Sequence, residues 1–361
     1  MLQLQNISLI HFRNYLKKSF HFTQNIIGIY GANGMGKTNL LDAIYYLSFS
    51  KSYFARTDVS NVQHSLQGFR IEGNYILINQ ETNVTCILRE NNKKEFLFDK
   101  DEYKKLSEHI GKIPCVMIAP DDVELITGSS ELRRKFIDVI LSQINDEYLQ
   151  NLIAHNTLLA HRNSLLKHYA ATGQLDDTLF NIITEQLASK GAIIYEIRQS
   201  FLKEFIPTIL NNYFQIAKTN DALICNYQTQ LNKQPLLQLL QHSLQTDMAV
   251  QRTTIGIHKD DIEILMGNNK FKIEASQGQR KSLLFAFKLS EWQTIKKYKG
   301  FPPILLLDDV FEKLDADRMS NLLQMVVADE TAQVFITDTH KERLHNQLSA
   351  LQKPFEILTI E

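Results

Sequence analysis

Residues 31–38 read Gly-Ala-Asn-Gly-Met-Gly-Lys-Thr. They follow the apolar run Ile26-Ile27-Gly28-Ile29-Tyr30 and precede a helical pattern carrying Leu40, Leu41, Ile44, Tyr45 and Leu47. This strand, loop and helix in that order constrain the chain more than any other feature. Glycines let the backbone N–H groups of such a loop curl around phosphate oxygens, and the helix behind it points its positive end at them. In this P-loop pattern the lysine reaches the β- and γ-phosphates of a nucleotide, and the hydroxyl after it ligates Mg²⁺. Lys37 and Thr38 are the candidate phosphate and metal contacts, with Gly31, Ala32, Asn33, Gly34, Met35, Gly36 and Asn39 around them.

A catalytic P-loop requires an acidic strand end, and Ile304-Leu305-Leu306-Leu307-Asp308-Asp309 offers one after Pro302-Pro303. A continuous apolar run suits a buried parallel strand. Asp308 would hold the hydration shell of Mg²⁺, and Asp309 would serve as general base or orient the attacking water. Without the P-loop, the same residues describe equally well a core strand whose aspartates cap the next turn. Ser276-Gln277-Gly278-Gln279-Arg280 precedes a helix expected over 281–298. That geometry binds anions, although Ser-x-Gly before a helix is also an ordinary N-cap.

Around these motifs the pattern changes twice. Leu2, Leu4, Ile7 and Leu9 alternate as a strand does, as do 70–78 and 84–88, with Asn91-Asn92-Lys93 as a hairpin tip. From about Pro120 to Val250 helical spacing takes over, and the block is expected to be all-helical. In it Ile182, Ile183, Leu187, Ile193, Ile194, Ile197, Phe201 and Phe205 form one stripe, and Pro207 is expected to end or kink the helix. The stripe fits a short antiparallel coiled coil or an ordinary helical subdomain. β/α spacing returns after Val250. No run of eighteen apolar residues or signal-like start is found, and Cys86, Cys115 and Cys225 are too scattered for a disulfide framework. A cytoplasmic protein is expected.

Lysine plus arginine number 39 against 40 aspartates and glutamates, so any nucleic-acid contact must come from local patches rather than from a basic surplus. Arg133-Arg134-Lys135 is one such patch, and 93–94, 104–105 and 296–299 hold others. Each could face phosphate, and each could as well be a solvated helix or loop face. His155, His161 and His168 lack the spacing of a helical zinc pair and are expected at the surface.

A P-loop, a long helical insertion, the Ser-Gln-Gly-Gln turn and the apolar strand ending in Asp308-Asp309, followed by Leu314-Asp315, together resemble the ABC ATPases of the SMC, Rad50 and RecF group. Phe12-Arg13-Asn14-Tyr15, the stretch Ala119-Pro120-Asp121-Asp122-Val123 through Gly128 with Arg133-Arg134-Lys135-Phe136-Ile137-Asp138, and Gly256-Ile257-His258-Lys259-Asp260-Asp261 narrow the resemblance to the RecF family, over residues 2 to about 340. It implies an α/β fold: an ABC-type ATPase head with a mixed sheet and a β-rich N-terminal flank, from residues 1–125 and 251–361, with a helical arm inserted at 126–250. It further implies ATP and Mg²⁺, slow hydrolysis, and a homodimer in which Ser276, Gln277, Gly278 and Gln279 touch the γ-phosphate on the second subunit. DNA gaps and duplex junctions, RecR, RecO and indirectly RecA, and the SOS response come with it. Lys313-Leu314-Asp315 would be the D-loop. Arg56, Arg133, Arg134, Lys135, His258 and Lys259 become candidate contacts for DNA or partners. Asp338 stands where transporters carry a switch histidine, and Asp309 where they commonly carry a longer glutamate, both departures pointing to slow turnover. Two rivals remain. One is the motor subunit of a membrane transporter, which the long insertion and Asp338 oppose. The other is a DNA-binding scaffold with a purely structural nucleotide site, which the set Lys37, Thr38, Asp308 and Asp309 opposes.

Overall fold

A computed structural model describes residues 1–219, 221–312 and 316–361, with the side chains of 312, 316 and 317 left aside. The expected D-loop, 313–315, lies outside the described residues. The chain divides into two compact units: Met1–Val123, Asn212–Lys218 and Gln277–Glu361 form the first, and Glu124–Asn211 and Thr219–Ser276 the second. Residues 251–276 therefore group with the inserted segment and 212–218 with the outer one, which differs from the division at 126 and 250.

The first unit opens with β1 (Leu2–Phe12), β2 (Tyr15–His21), β3 (Ile26–Tyr30), α1 (Lys37–Phe49), β4 (Phe69–Leu77), β5 (Gln80–Leu88), β6 (Lys94–Phe98), β7 (Asp101–Glu102) and β8 (Cys115–Ile118). Alternation in β1 buries Leu2, Leu4, Ile7 and Leu9 completely, as the period of a one-faced strand requires. An antiparallel sheet runs β2-β1-β4-β5-β6-β7. α1 has apolar side chains nearly all round and is buried on almost every side, including Leu40, Leu41, Ile44 and Leu47. Each such side chain contributes about 1.5–3 kcal/mol on leaving water.

The second unit contains α2 (Glu124–Thr127), α3 (Ser130–Ile144), α4 (Asp146–Thr172), most of α5 (Asp177–Ala217), β9 (Leu223–Gln228), α6 (Leu236–His242), α7 (Leu244–Val250), β10 (Asp261–Met266), β11 (Asn269–Lys270) and α8 (Phe271–Glu274). The block 120–250 is thus not all-helical. β9 pairs antiparallel with β10, Ile224 facing Leu265 and Tyr227 facing Ile262, and a strand of six residues whose partner lies beyond 260 carries little periodic signal of its own. Pro207 does not end α5. Ile183, Leu187, Ile194, Phe201 and Phe205 of its stripe are buried, whereas Ile182 is 48% exposed. The stripe meets several elements: the Phe205 ring lies tilted beside Phe136 of α3, centres 6.1 Å apart, and Gly191 lies under Leu236 of α6. That is a helical subdomain rather than a two-helix coil.

The chain returns to the first unit through α9 (Gln277–Lys299), β12 (Ile304–Leu307), α10 (Ala316–Val327), β13 (Val334–Asp338), α11 (Lys341–Ser349) and β14 (Phe355–Thr359). Parallel strands now assemble in the order β14-β3-β13-β12-β8. β12 is buried along its whole length, which explains its unbroken Ile-Leu-Leu-Leu. All three cysteines are buried and none forms a disulfide. Among the described residues no helix is long and apolar enough to cross a membrane.

Candidate functional site

Strand order builds the site. β13 lies between β3 and β12, with Asp338 opposite Tyr30 and Ile336 opposite Leu307. The carboxyl ends of three parallel strands therefore meet, and the P-loop, Asp308 and Thr337 leave them together, where ligands of such sheets gather.

The P-loop needs its glycines. Gly36 has φ +112°, and a Cβ there would lie 2.6 Å from the Asn14 amide and 2.8 Å from the Tyr15 hydroxyl. Those two side chains hold the loop from the β1–β2 turn: Asn14 Nδ2 donates to the Met35 carbonyl at 2.8 Å, and the Tyr15 hydroxyl to that of Gly36 at 3.0 Å. Asn39 Nδ2 donates to Asn14 Oδ1 at 2.8 Å, so Asn39 braces the loop through Asn14. Arg13, next in the same turn, pairs at 3.0 Å with the fully buried Asp42 of α1, which also accepts from Ser52 Oγ and the Tyr53 N–H. Ala32, Asn33, Gly34 and Met35 form the exposed crest of the loop, with Gly31 buried at its base. Lys37 Nζ donates to the carbonyls of Gly31 at 2.8 Å and Ala32 at 3.2 Å, which holds the ammonium against the inner wall of the loop.

Thr38 Oγ1 reaches both oxygens of Asp308, at 3.0 and 2.9 Å. Burial pushes the Asp308 carboxyl up to about 6 against the hydrogen bonds from Thr337 and Thr38, and the neighbouring Asp309 adds to the rise. A hydroxyl and a carboxylate side by side, both hard oxygen donors, with the carboxylate's charge strained by burial, suit Mg²⁺. Thr337 completes the group: its hydroxyl donates to Asp308 Oδ1 at 2.9 Å and accepts the Asp309 N–H at 2.8 Å. The apolar strand before it marks Thr337 only as a strand end, and its bridging position depends on β13 standing next to β12.

Ser276 and Gln277 are exposed at the start of α9, with Gly278 and Gln279 half-buried behind them. Ser282 Oγ donates to the Gly278 carbonyl at 3.0 Å and accepts from Arg318 Nη1 at 3.0 Å, and a Cβ on Gly278 would stand 2.8 Å from that guanidinium. Asp338 is buried and accepts two bonds from Arg343, at 2.6 and 2.8 Å. His340 is exposed, its N–H donating to Asp338 Oδ1.

The candidate DNA and partner residues separate. Arg56, Lys135 and Lys259 are exposed, and Lys135 pairs with Glu131 one turn earlier. Arg133 instead turns inward: it is buried, pairs with Asp261 of β10 at 2.7 Å and donates to the carbonyls of Leu125 and Gly128. Arg134 donates to the Asp260 carbonyl at 2.6 Å. His258 lies against His155 and bonds the Thr253 carbonyl through Nε2, and burial lowers it to about 4. The expectation that His155 is a surface residue is overturned, since it is only 1% exposed. These side chains hold α3, α4 and β10 together because buried charges and rings must find partners locally. Sequence reasoning missed Arg198, which lies in the α5 stripe and reaches Asp138 at 2.7 Å and Asp260 at 3.3 Å. A lone arginine among apolar positions of that stripe was the available signal.

Known proteins resemble this arrangement. The model of the RecF/RecN/SMC N-terminal domain matches residues 3–357. The DNA replication and repair protein RecF of Bacteroides fragilis is 38% identical over 99% of this chain and 96% of its own length. That of Flavobacterium johnsoniae is 37% identical over 99% and 100%. A solved structure of the recombination mediator protein RecF with ATP superposes with a TM-score of 0.87 at 30% identity, covering 94% of this chain and 92% of that one. An SMC head domain from Pyrococcus furiosus, at 16% identity and a TM-score of 0.56, shares the fold alone. With its P-loop, buried acidic strand end and SMC-head fold, the chain belongs to the RecF family of DNA replication and repair proteins, within the ABC/SMC-type ATPases.

Proposed function

We propose that this chain is a slow Mg²⁺-dependent ATPase of the cytoplasm, whose ATP-bound form dimerises and holds DNA at single-strand gaps or duplex junctions. The observation that carries the reading is the contact of Thr38 and Asp308 beside a P-loop braced by Asn14 and Tyr15. The first unit would act as the ATP-binding head and the second as the arm.

Backbone N–H groups of 31–37 would wrap the phosphates, and Lys37 would exchange its carbonyl partners for β- and γ-phosphate oxygens. Thr38 and Asp308 would hold Mg²⁺, which would neutralise negative charge developing on the phosphates. Asp309 would orient a water whose oxygen bonds to the γ-phosphorus as the bond to the β–γ bridging oxygen breaks. ADP leaves, and the water's proton passes through the carboxylate to phosphate. Its short side chain and the absence of histidine at 338 favour slow turnover, with hydrolysis as a release switch rather than a motor. Ser276, Gln277, Gly278 and Gln279 would close over the γ-phosphate bound by a second copy. DNA would be gripped through phosphates, without sequence preference, by exposed cations such as Arg56, Lys135 and Lys259. Family relationship extends the proposal to RecR and RecO as partners, to assisted loading of RecA, and to the SOS response.

Light scattering and DNA binding with ATP, with ADP and without nucleotide test this. ATP is expected to double the mass and strengthen DNA binding, Lys37→Met to lose both with ATP binding itself, and Ser276→Arg to lose both while still binding ATP. A mass and DNA affinity indifferent to nucleotide would leave a DNA-binding scaffold instead.

A further inference from the structure

We propose that Thr337 is a positioning residue for hydrolysis, its hydroxyl tying Asp308 and Asp309 together so that metal holding and water orientation are set by one group. The proposal rests on the ATPase reading above.

Thr337 is completely buried at the carboxyl end of β13, so its hydroxyl must bond within the protein. One hydroxyl carries one proton and two lone pairs. Here the proton goes to Asp308 Oδ1 at 2.9 Å and a lone pair accepts the Asp309 N–H at 2.8 Å. Asp309 has φ +46°, a left-handed conformation that is uncommon for a residue with a Cβ, though aspartate takes it more readily than most, and a hydrogen bond can hold it there. The bond from its N–H to Thr337 is placed to do so, and that peptide sets the direction in which the Asp309 carboxylate leaves the chain. Asp308 is held from its other side by Thr38. The neighbouring residue, which occupies the transporter histidine's place, is engaged elsewhere: Asp338 is locked by Arg343 and by the His340 N–H. In this chain the polar link from β13 to the acidic pair therefore runs through residue 337, one position earlier than the histidine it lacks.

Thr337→Val keeps the shape and removes both bonds, and Thr337→Ser keeps the hydroxyl. Three quantities are measured on the full chain: ATP affinity in EDTA, the Mn²⁺ concentration at half-saturation of the ATP complex by electron paramagnetic resonance, and single-turnover ATP hydrolysis. Thermal melting checks the fold. Thr337→Val is expected to keep its ATP affinity in EDTA, to need more Mn²⁺ and to hydrolyse about 10- to 100-fold more slowly, the usual effect of removing a group that orients a ligand, while Thr337→Ser recovers both. Wild-type behaviour of a folded Thr337→Val, or a Thr337→Ser as impaired as the valine variant, overturns the proposal. If wild type binds ATP and never cleaves it, the ATPase reading fails on its own, and an unmoved Mn²⁺ midpoint in Thr337→Val then removes the proposal too.

Discussion

Gly36 stands at the junction of loop and helix with a backbone few residues tolerate, and two side chains from another strand turn press where a Cβ would go. Its conformation and the bond from Tyr15 to its carbonyl are one arrangement: the chain must turn sharply there to begin α1 with Lys37 and Thr38 pointing back toward the loop. Gly36→Ala is expected to cost on the order of 1–3 kcal/mol in stability from backbone strain. The bonds of Asn14 and Tyr15 should loosen with it, so ATP affinity falls as well. A lower melting temperature with weaker ATP binding supports this; an alanine variant as stable as wild type refutes it. Polar contacts at this scale are not interchangeable. Thr38 and Thr337 converge on Asp308, with Lys37 close enough for its charge to act there, whereas Arg133, charged like Lys37, is consumed by Asp261 within the other unit.

Between elements, buried histidines take the place that apolar residues usually fill. His109 packs between Phe96 and Tyr103 and bonds the Leu47 carbonyl at 2.7 Å, linking the β-sheet to α1. His155 sits inside α4 beside His258. Burial is the leading cause that lowers His109 and His155 to about 4. The direction fixes the pH response: the unfolded chain takes up protons near 6.5 and the folded chain only near 4. Both groups therefore stabilise the fold fully above pH 6.5, and that stability is lost as pH falls toward 4, on the order of 1–3 kcal/mol for each. Urea midpoints of wild type should drop between pH 7 and pH 5, and those of His155→Leu, which cannot titrate there, should drop less. Parallel slopes for the two proteins would show that His155 carries no such linkage.

At the scale of the whole molecule, two composite sites are expected in each ATP-bound dimer, each made from the P-loop of one subunit and the Ser276–Gln279 turn of the other. Mixing Lys37→Met with Ser276→Arg should then restore hydrolysis that neither has alone. A mixed dimer holds one site damaged on both sides and one fully intact, and neither variant is expected to pair with itself, so an equimolar mixture should reach at most about half of wild-type activity. A mixture as inactive as its components would mean that each subunit works alone. That the chain binds nucleotide phosphates could be read from eight consecutive residues, because a P-loop is a local object whose glycines, lysine and hydroxyl act within one turn of chain. The strands of the β-rich flank and the stripe of α5 were legible because burial of one face leaves a period in the sequence, and α1 and β12 because burial on nearly every side leaves a mostly apolar run. Strand order leaves no such trace. Only packing puts β13 between β3 and β12, and with it Thr337 on Asp308, 29 residues away along the chain. Nor does the sequence tell which charges face water: Arg133 and Lys135 are near neighbours on one helix, yet Arg133 faces Asp261, 128 residues on, and Lys135 faces solvent. Arg133 goes inside because the folded chain brings a counter-charge to it, and that partner is remote in sequence.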